Sequence, residues 1–449
     1  MKSSGSVRSG SLFDACRTGV CASAIPVWSL ELVNPAWPGI PGGIKSNRVM
    51  RSALVCFAIS AFAAFGSSQV NVSDPLNNSG WQHFYNNEFS EALASFEEEV
   101  RAHPNDPDPY NHVAQAILYR EMLRNGALES QLVTGTNPFL RRVKMAVPPE
   151  VRASFNAALN KSMDLANRRI AQNPNDIRAL YALSVSHGLR ANYLFLVEKA
   201  WTDALRDATA SRKYSNRILS IDPQFIDAYL VQGLHDYIVG SLPFYMRMLG
   251  FVAGFHGNVA QGLRELENVA QNGVLNKYDA RILLAAIYRR EHRPREALAL
   301  LKDAAERFPR NYLLRLEQVQ MYSDAGDKAS ALRVLDQVDQ LRARGSAGFK
   351  DLPVEKIEYL RGNLLFWFGD FGPALDEMKQ VVVRSDELDL NTALLAWLRV
   401  GQLYDLRGDH TSAVEAYRKT IEMAPDSPVG DEAKHYISSP YHRRVTKNS

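Results

Sequence analysis

Trp397-Leu-Arg-Val-Gly401-Gln-Leu-Tyr404-Asp-Leu-Arg-Gly408-Asp409-His-Thr-Ser-Ala413-Val-Glu-Ala-Tyr417-Arg-Lys-Thr-Ile-Glu-Met-Ala-Pro425 decides the fold of this chain. Trp397, Val400, Gly401 and Tyr404 recur at three and four residues, so they share one face of a helix. Gly408-Asp409 is a turn signal, and Ala413 and Tyr417 resume the helical spacing on a second segment. Pro425 ends that segment, because proline lacks an N–H and pushes the residue before it out of helical backbone. The small residues let two antiparallel helices approach closely, and the large ones fill the gaps left.

The pattern recurs upstream. Ala92 and Phe96 precede Pro104, and Ala297 and Leu301 precede Pro309, each alanine twelve residues ahead of its proline as Ala413 is of Pro425. Ser162 before Pro174 and Ser211 before Pro223 keep the interval. Ala331 stands 34 residues after Ala297 with Tyr322 and Gly326-Asp327 in place, and Gly362, Gly369-Asp370 and Ala374 mark another unit. This spacing resembles the tetratricopeptide repeat, W-x2-L-G-x2-Y…A-x3-F…P in a period of about 34 residues. The resemblance covers roughly residues 79–425 and implies an all-α solenoid. Eight helical pairs are expected, at 79–104, 107–174, 177–223, 226–273, 276–309, 311–343, 353–385 and 390–425. A short helix at 429–437 would cap an apolar end that otherwise has no neighbour.

The first 68 residues read differently. Residues 1–49 carry no sustained period and are expected to be an extension without fold, or to lie upstream of the true start. Met50-Arg-Ser, the apolar run Ala53–Phe65 and Gly66-Ser67-Ser68 have the layout of a secretory signal peptide starting at Met50. The run is shorter than the roughly 20 residues a membrane span needs. A periplasmic or secreted protein is therefore expected, with residues 69–78 as a linker. Cys16, Cys21 and Cys56 all lie in this leader, so the mature chain would have neither disulfides nor thiol chemistry. Removing the leader's six Lys/Arg and two Asp/Glu from the 52 and 49 of the whole chain leaves 46 basic and 47 acidic residues. A near-neutral protein lacks the basic field that non-specific nucleic-acid binding requires.

Residues 79–273 form an irregular, expanded half, 274–425 a regular half and 426–449 the capping helix and tail. In the second pair an insertion spans Arg124 to Pro149. In the third the helices are lengthened, with Leu189 to Trp201 carrying Tyr193, Phe195 and Trp201. The fourth is the most unusual. Ser241-Leu242-Pro243, an apolar stretch, Gly254-Phe255, Gly257 and Gly262-Leu263 make residues 233–266 resemble the eukaryotic tetratricopeptide-repeat-39 and inclusion-body-clearance family. That resemblance implies a shared structural element in a family linked to lipid and protein homeostasis, and it supplies no reaction. Two readings of the segment stay open. Phe244, Tyr245 and Phe251 are core, or they line an apolar pocket in which His235, Tyr237, Arg247 and His256 fix a ligand.

Phosphate-loop, dinucleotide, nucleophile-elbow and H-E-x-x-H motifs are absent, so no enzyme and no cofactor are expected. His187, His235 and His256 would need the fold to gather them into a metal site. Arg289, Arg290, Tyr359, Asn363, Phe366, Leu398 and Gln402 lie on first helices, which line the concave groove of such solenoids. Arginine there could hold a carboxylate bidentately. The first expectation is an exported scaffold or adaptor that binds protein or peptide partners in that groove. The alternative is a transporter-associated carrier of an apolar small molecule or lipid using residues 240–257, with a metalloenzyme or hydrolase a distant third.

Overall fold

A computed structural model describes residues 78–128, 145–242 and 256–443. The leader with its expected signal peptide lies outside them, as do most of the second-pair insertion and Phe244, Tyr245, Arg247 and Phe251. Among the described residues the secondary structure is entirely helical.

The first pair is α1 (Ser79–Tyr85) with α2 (Phe89–Ala102), the second α3 (Asp108–Arg124) with α4 (Pro149–Gln172). The third is α5 (Ile177–Tyr193) with α6 (Trp201–Ile221), the fourth α7 (Tyr229–Gly240) with α8 (Val259–Asn272). Four more follow: α9 (Lys277–Arg290) with α10 (Pro294–Arg307), α11 (Tyr312–Asp324) with α12 (Lys328–Ala343), α13 (Val354–Phe368) with α14 (Phe371–Val383), and α15 (Leu390–Leu406) with α16 (His410–Met423). A single helix, α17 (Pro428–Ser438), closes the stack. Successive helices pack on one another, giving a solenoid of eight pairs and a cap.

The punctuation read in the sequence places the ends. α2, α4, α6, α10 and α16 each stop two residues before a proline. The intervening residues His103, Asn173, Asp222, Phe308 and Ala424 have φ between −122° and −154°, well away from helical backbone. The turn inside a pair is equally regular. Gly326, Gly369 and Gly408 have φ of 78°, 90° and 80°, and Asp327 and Asp409 then cap the next helix by accepting from the N–H groups of Ser330 and Ser412. Asn87 and His292 occupy the same left-handed place in the first and fifth pairs.

Close approach explains the small residues. A Cβ on Gly401 would stand 2.3 Å from the ring of Tyr417, so α15 and α16 meet through that hydrogen. Gly80 against Phe96 and Gly362 against Met378 repeat the arrangement. Where serine replaces the alanine, its hydroxyl needs a partner. Ser211 donates to the Ser184 carbonyl at 2.8 Å, and Ser186 donates to Asn111 Oδ1 at 2.6 Å and to Ser162 Oγ at 3.2 Å, all buried.

Two features within the irregular half go beyond the repeat pattern. The stretch 189–201 is not one helix: α5 runs into a π-turn at Leu194–Glu198, and Lys199, with φ 57°, lets α6 start at Trp201. The ring of Phe195 meets Trp201 edge-on at 4.6 Å, and the Lys199 ammonium lies within 6 Å of both rings. More consequentially, the first pair is not a free end. Tyr85 stacks on Phe308 at 4.9 Å, Arg310 donates bidentately to Glu88 at 2.6 and 2.8 Å, and Asn311 donates to the Tyr85 carbonyl at 2.8 Å. One core therefore holds Trp81, Phe84 and Phe96 together with Leu266, Leu284, Leu301 and Phe308. The end of α3 reaches further: Leu128 packs against the cores of both halves, and Gly126 lies against the Asp389 carboxylate that caps α15.

Candidate functional site

The chain's own first helices reach residues on the first helices of later pairs, so not every first-helix side chain is equally available. Arg289, 9% exposed, donates to Asp324 at 2.7 Å and Gln320 at 3.2 Å on α11, with Glu317 at 3.9 Å. Its guanidinium thus ties α9 to α11. Arg290 stands over the Tyr237 ring at 5.6 Å. In the first turn of the same helix Asp279 accepts from the Tyr85 hydroxyl at 2.7 Å. Burial pushes the Asp279 carboxyl up to about 6, against the Tyr85 hydrogen bond and with nearby Asp227 adding to the rise.

At the other end the expected groove residues converge on a side chain not singled out in the sequence, Arg399 of α15. Its guanidinium lies 3.8 Å from the centre of the Phe366 ring and 5.2 Å from that of Trp367. Nε donates to Asn363 Oδ1 at 2.9 Å and Nη1 to Gln402 Oε1 at 2.7 Å. Both partners are neutral, and no carboxylate among the described residues lies within ion-pair distance. Burial holds the Arg399 pKa below its ordinary value. A desolvated guanidinium with only neutral partners is poised for an anion. Trp367 beside it is 53% exposed. Tyr359 is buried and lines a small pocket between α11 and α13 with Leu313, Leu316, Gln320 and Lys356.

Asn363, Phe366 and Gln402 therefore meet at one place and Tyr359 stands next to it. Leu398 points instead into the apolar end with Tyr417, Val429 and Ala433. Arg289 and Arg290 belong to a separate, earlier part of the stack. Arg399 was legible: it is the only basic residue between Leu390 and Leu406, in a helix that is mostly apolar.

In the fourth pair the described residues serve packing. Tyr237 is buried and donates to Glu291 at 2.6 Å. His235 faces the His256 carbonyl at 3.2 Å, and burial, helped by Arg212, lowers its pKa to about 4, so the ring is neutral and Nε2 donates. A Cβ on Gly262 would meet the Tyr237 backbone at 2.5 Å, and one on Gly257 the Gly240 nitrogen at the same distance. Gly257 and Gly262 thus hold α7 against α8. His187 Nδ1 donates to Asp207 Oδ1 at 2.6 Å, and Arg190 donates to the same carboxylate. Among the described residues no three His, Cys, Asp or Glu side chains form a metal site, and no helix is long and apolar enough to cross a membrane.

The model of the tetratricopeptide repeat matches residues 394–427. The eighth pair is a tetratricopeptide repeat. The rest of the solenoid repeats its architecture, and solenoids of this type generally serve as protein–protein interaction scaffolds, as a rule without enzymatic activity. No curated protein matches the chain in sequence. Solved structures similar to it include the APC/C hetero-tetramer Cut9-Hcn1, at 13% identity and TM-score 0.44, covering 80% of this chain and 54% of that one. The human IFIT1 dimer with m7Gppp-AAAA follows at 14% identity and TM-score 0.43, covering 82% and 81%. Yeast Tom70 is similar at 13% identity and TM-score 0.33, covering 81% and 88%. The chain spans about half the length of the Cut9-Hcn1 chain it matches.

Proposed function

We propose that this protein is an exported scaffold that holds an extended segment of a partner protein against its last two pairs, with Arg399 receiving a carboxylate of that segment. The observation that carries the proposal is the Arg399 guanidinium stacked on Phe366 and, among the described residues, hydrogen-bonded only to Asn363 and Gln402. Such a group gains a charge-assisted bidentate contact when a carboxylate arrives, and its planar fork is already oriented by the two amides. Exposed Trp367 offers a flat apolar surface for a neighbouring side chain of the same segment. Export rests on the Met50–Ser68 layout, and N-terminal sequencing of the mature protein tests it: a chain retaining residues 1–49 overturns it.

Binding is tested with the mature chain and an array of acidic extended peptides. Arg399→Ala should lose binding by about 10- to 100-fold, and Arg399→Lys should recover only part of it because a point charge replaces a planar fork. An array profile unchanged by both substitutions overturns the assignment. The apolar-ligand reading rests on residues 240–257, of which 243–255 lie outside the described residues, and the described neighbours Tyr237 and His235 are engaged in packing contacts.

A further inference from the structure

The cap does more than cover an apolar end. From α17, Glu432 accepts from Tyr436 at 2.9 Å and from Gln402 Nε2 at 3.4 Å, and Gln402 in turn accepts from Arg399. The carboxylate of the cap thus stops one side chain short of the guanidinium. After α17 the chain turns back. The Tyr441 N–H donates to Asp405 at 2.7 Å, and the Tyr441 ring meets Tyr436 edge-on at 5.3 Å and lies 6.1 Å from Phe366. Arg443 donates to the carbonyls of Phe366 and Trp367 at the end of α13. That end is the residue pair on which Arg399 is stacked.

We infer that residues 439–443, carried by α17, are a strap that closes over Arg399 and competes with the partner's carboxylate, an inference that rests on the reading of Arg399 as the anchor. The two parts of the cap are held differently. α17 buries Val429 and Ala433 among Leu394, Leu398 and Tyr417, whereas the strap is tied down by the Tyr441 N–H, the Arg443 guanidinium and ring contacts. A short segment beyond the last helix, held by a few hydrogen bonds and one ring at the edge of the core, opens at a free energy far below that of global unfolding. The strap therefore swings away while α17 stays. An incoming carboxylate that reaches Arg399 directly forms the ion pair that Glu432, relayed through Gln402, does not.

The test reads Arg399 itself and needs no partner. Full-length mature protein is treated with phenylglyoxal, and the modification rate of Arg399 is followed by mass spectrometry relative to exposed Arg206 in the same molecule. The double variant Tyr441→Ala/Arg443→Ala should raise that ratio about tenfold, since loosening the strap raises its open population. Should the double variant lose its cooperative unfolding transition, Arg443→Ala alone carries the test, with a smaller rise in the same direction. An unchanged ratio in a variant whose residues 439–443 have become protease-sensitive overturns the strap. A raised ratio without any gain in peptide binding keeps the strap and overturns only the ligand reading.

Discussion

At residue 401 the repeat admits no side chain. The Tyr417 ring occupies the space a methyl would need, and its hydroxyl is fixed by Asp405 at 2.7 Å, so the ring does not move aside freely. Gly401→Ala should therefore destabilise by about 2 kcal/mol despite alanine's better helix propensity, because overpacking outweighs it. Urea unfolding checks this, and a variant as stable as the parent contradicts it. Asp279 gives a second test with a defined sign. Its folded pKa of about 6 lies above the ordinary 3.8, so the stability it allows is full below 3.8 and falls as pH rises through 6. Asp279→Asn keeps an oxygen for the Tyr85 hydroxyl and removes the buried charge. It should raise stability by about 3 kcal/mol at pH 7, with most of the gain gone by pH 4; a pH-independent difference between the two proteins would refute the assignment.

At the scale of the element, most boundaries were written in the sequence because they depend on local backbone chemistry. A proline two residues past a helix and a Gly-Asp pair in a turn act on their own φ and ψ, whatever the rest of the chain does. The π-turn at Leu194–Glu198 was not legible, since apolar spacing alone does not distinguish a bulged helix from a straight one. The cap shows how an element can respond to pH. His410 Nδ1 contacts Asp405 at 2.7 Å and Nε2 contacts the Ile437 carbonyl at 3.2 Å, so both contacts are donor bonds only when the ring is protonated. The bond to Asp405 raises the His410 pKa, so the stability gained is full below 6.5 and is lost as pH rises through the folded value. Asp405 also accepts from the Tyr417 hydroxyl and from the Tyr441 N–H, so the ring, the end of α15 and the turn after α17 share one carboxylate. Limited proteolysis after α17 should quicken as pH rises from 6 to 8, and His410→Gln should abolish that dependence while leaving the core transition in place.

For the whole molecule, the contact between Tyr85 and Phe308 matters more than any single repeat. A solenoid whose units touch only their neighbours is quasi-one-dimensional, and its end units fray first. Here the first pair shares one core with pairs four to six, and α3 spans from that core to the cap of α15. No periodic signal announces such a contact, because residues 85 and 308 each satisfy the repeat pattern of their own unit. Arg399 differs in kind: a lone cation in a mostly apolar helix was visible, and only its partners required the fold. The closed arrangement predicts that amides of α1 and α2 exchange with the protection of α10, not faster as a terminal pair would. Phe308 is fully buried between Tyr85 and Tyr278, with ring centres at 4.9 and 4.7 Å. Phe308→Ala should cost about 3–5 kcal/mol and lower protection in the first pair as much as in the fifth. If α1 and α2 exchange quickly in the parent and do not respond to that substitution, the ends are independent after all and the solenoid is open.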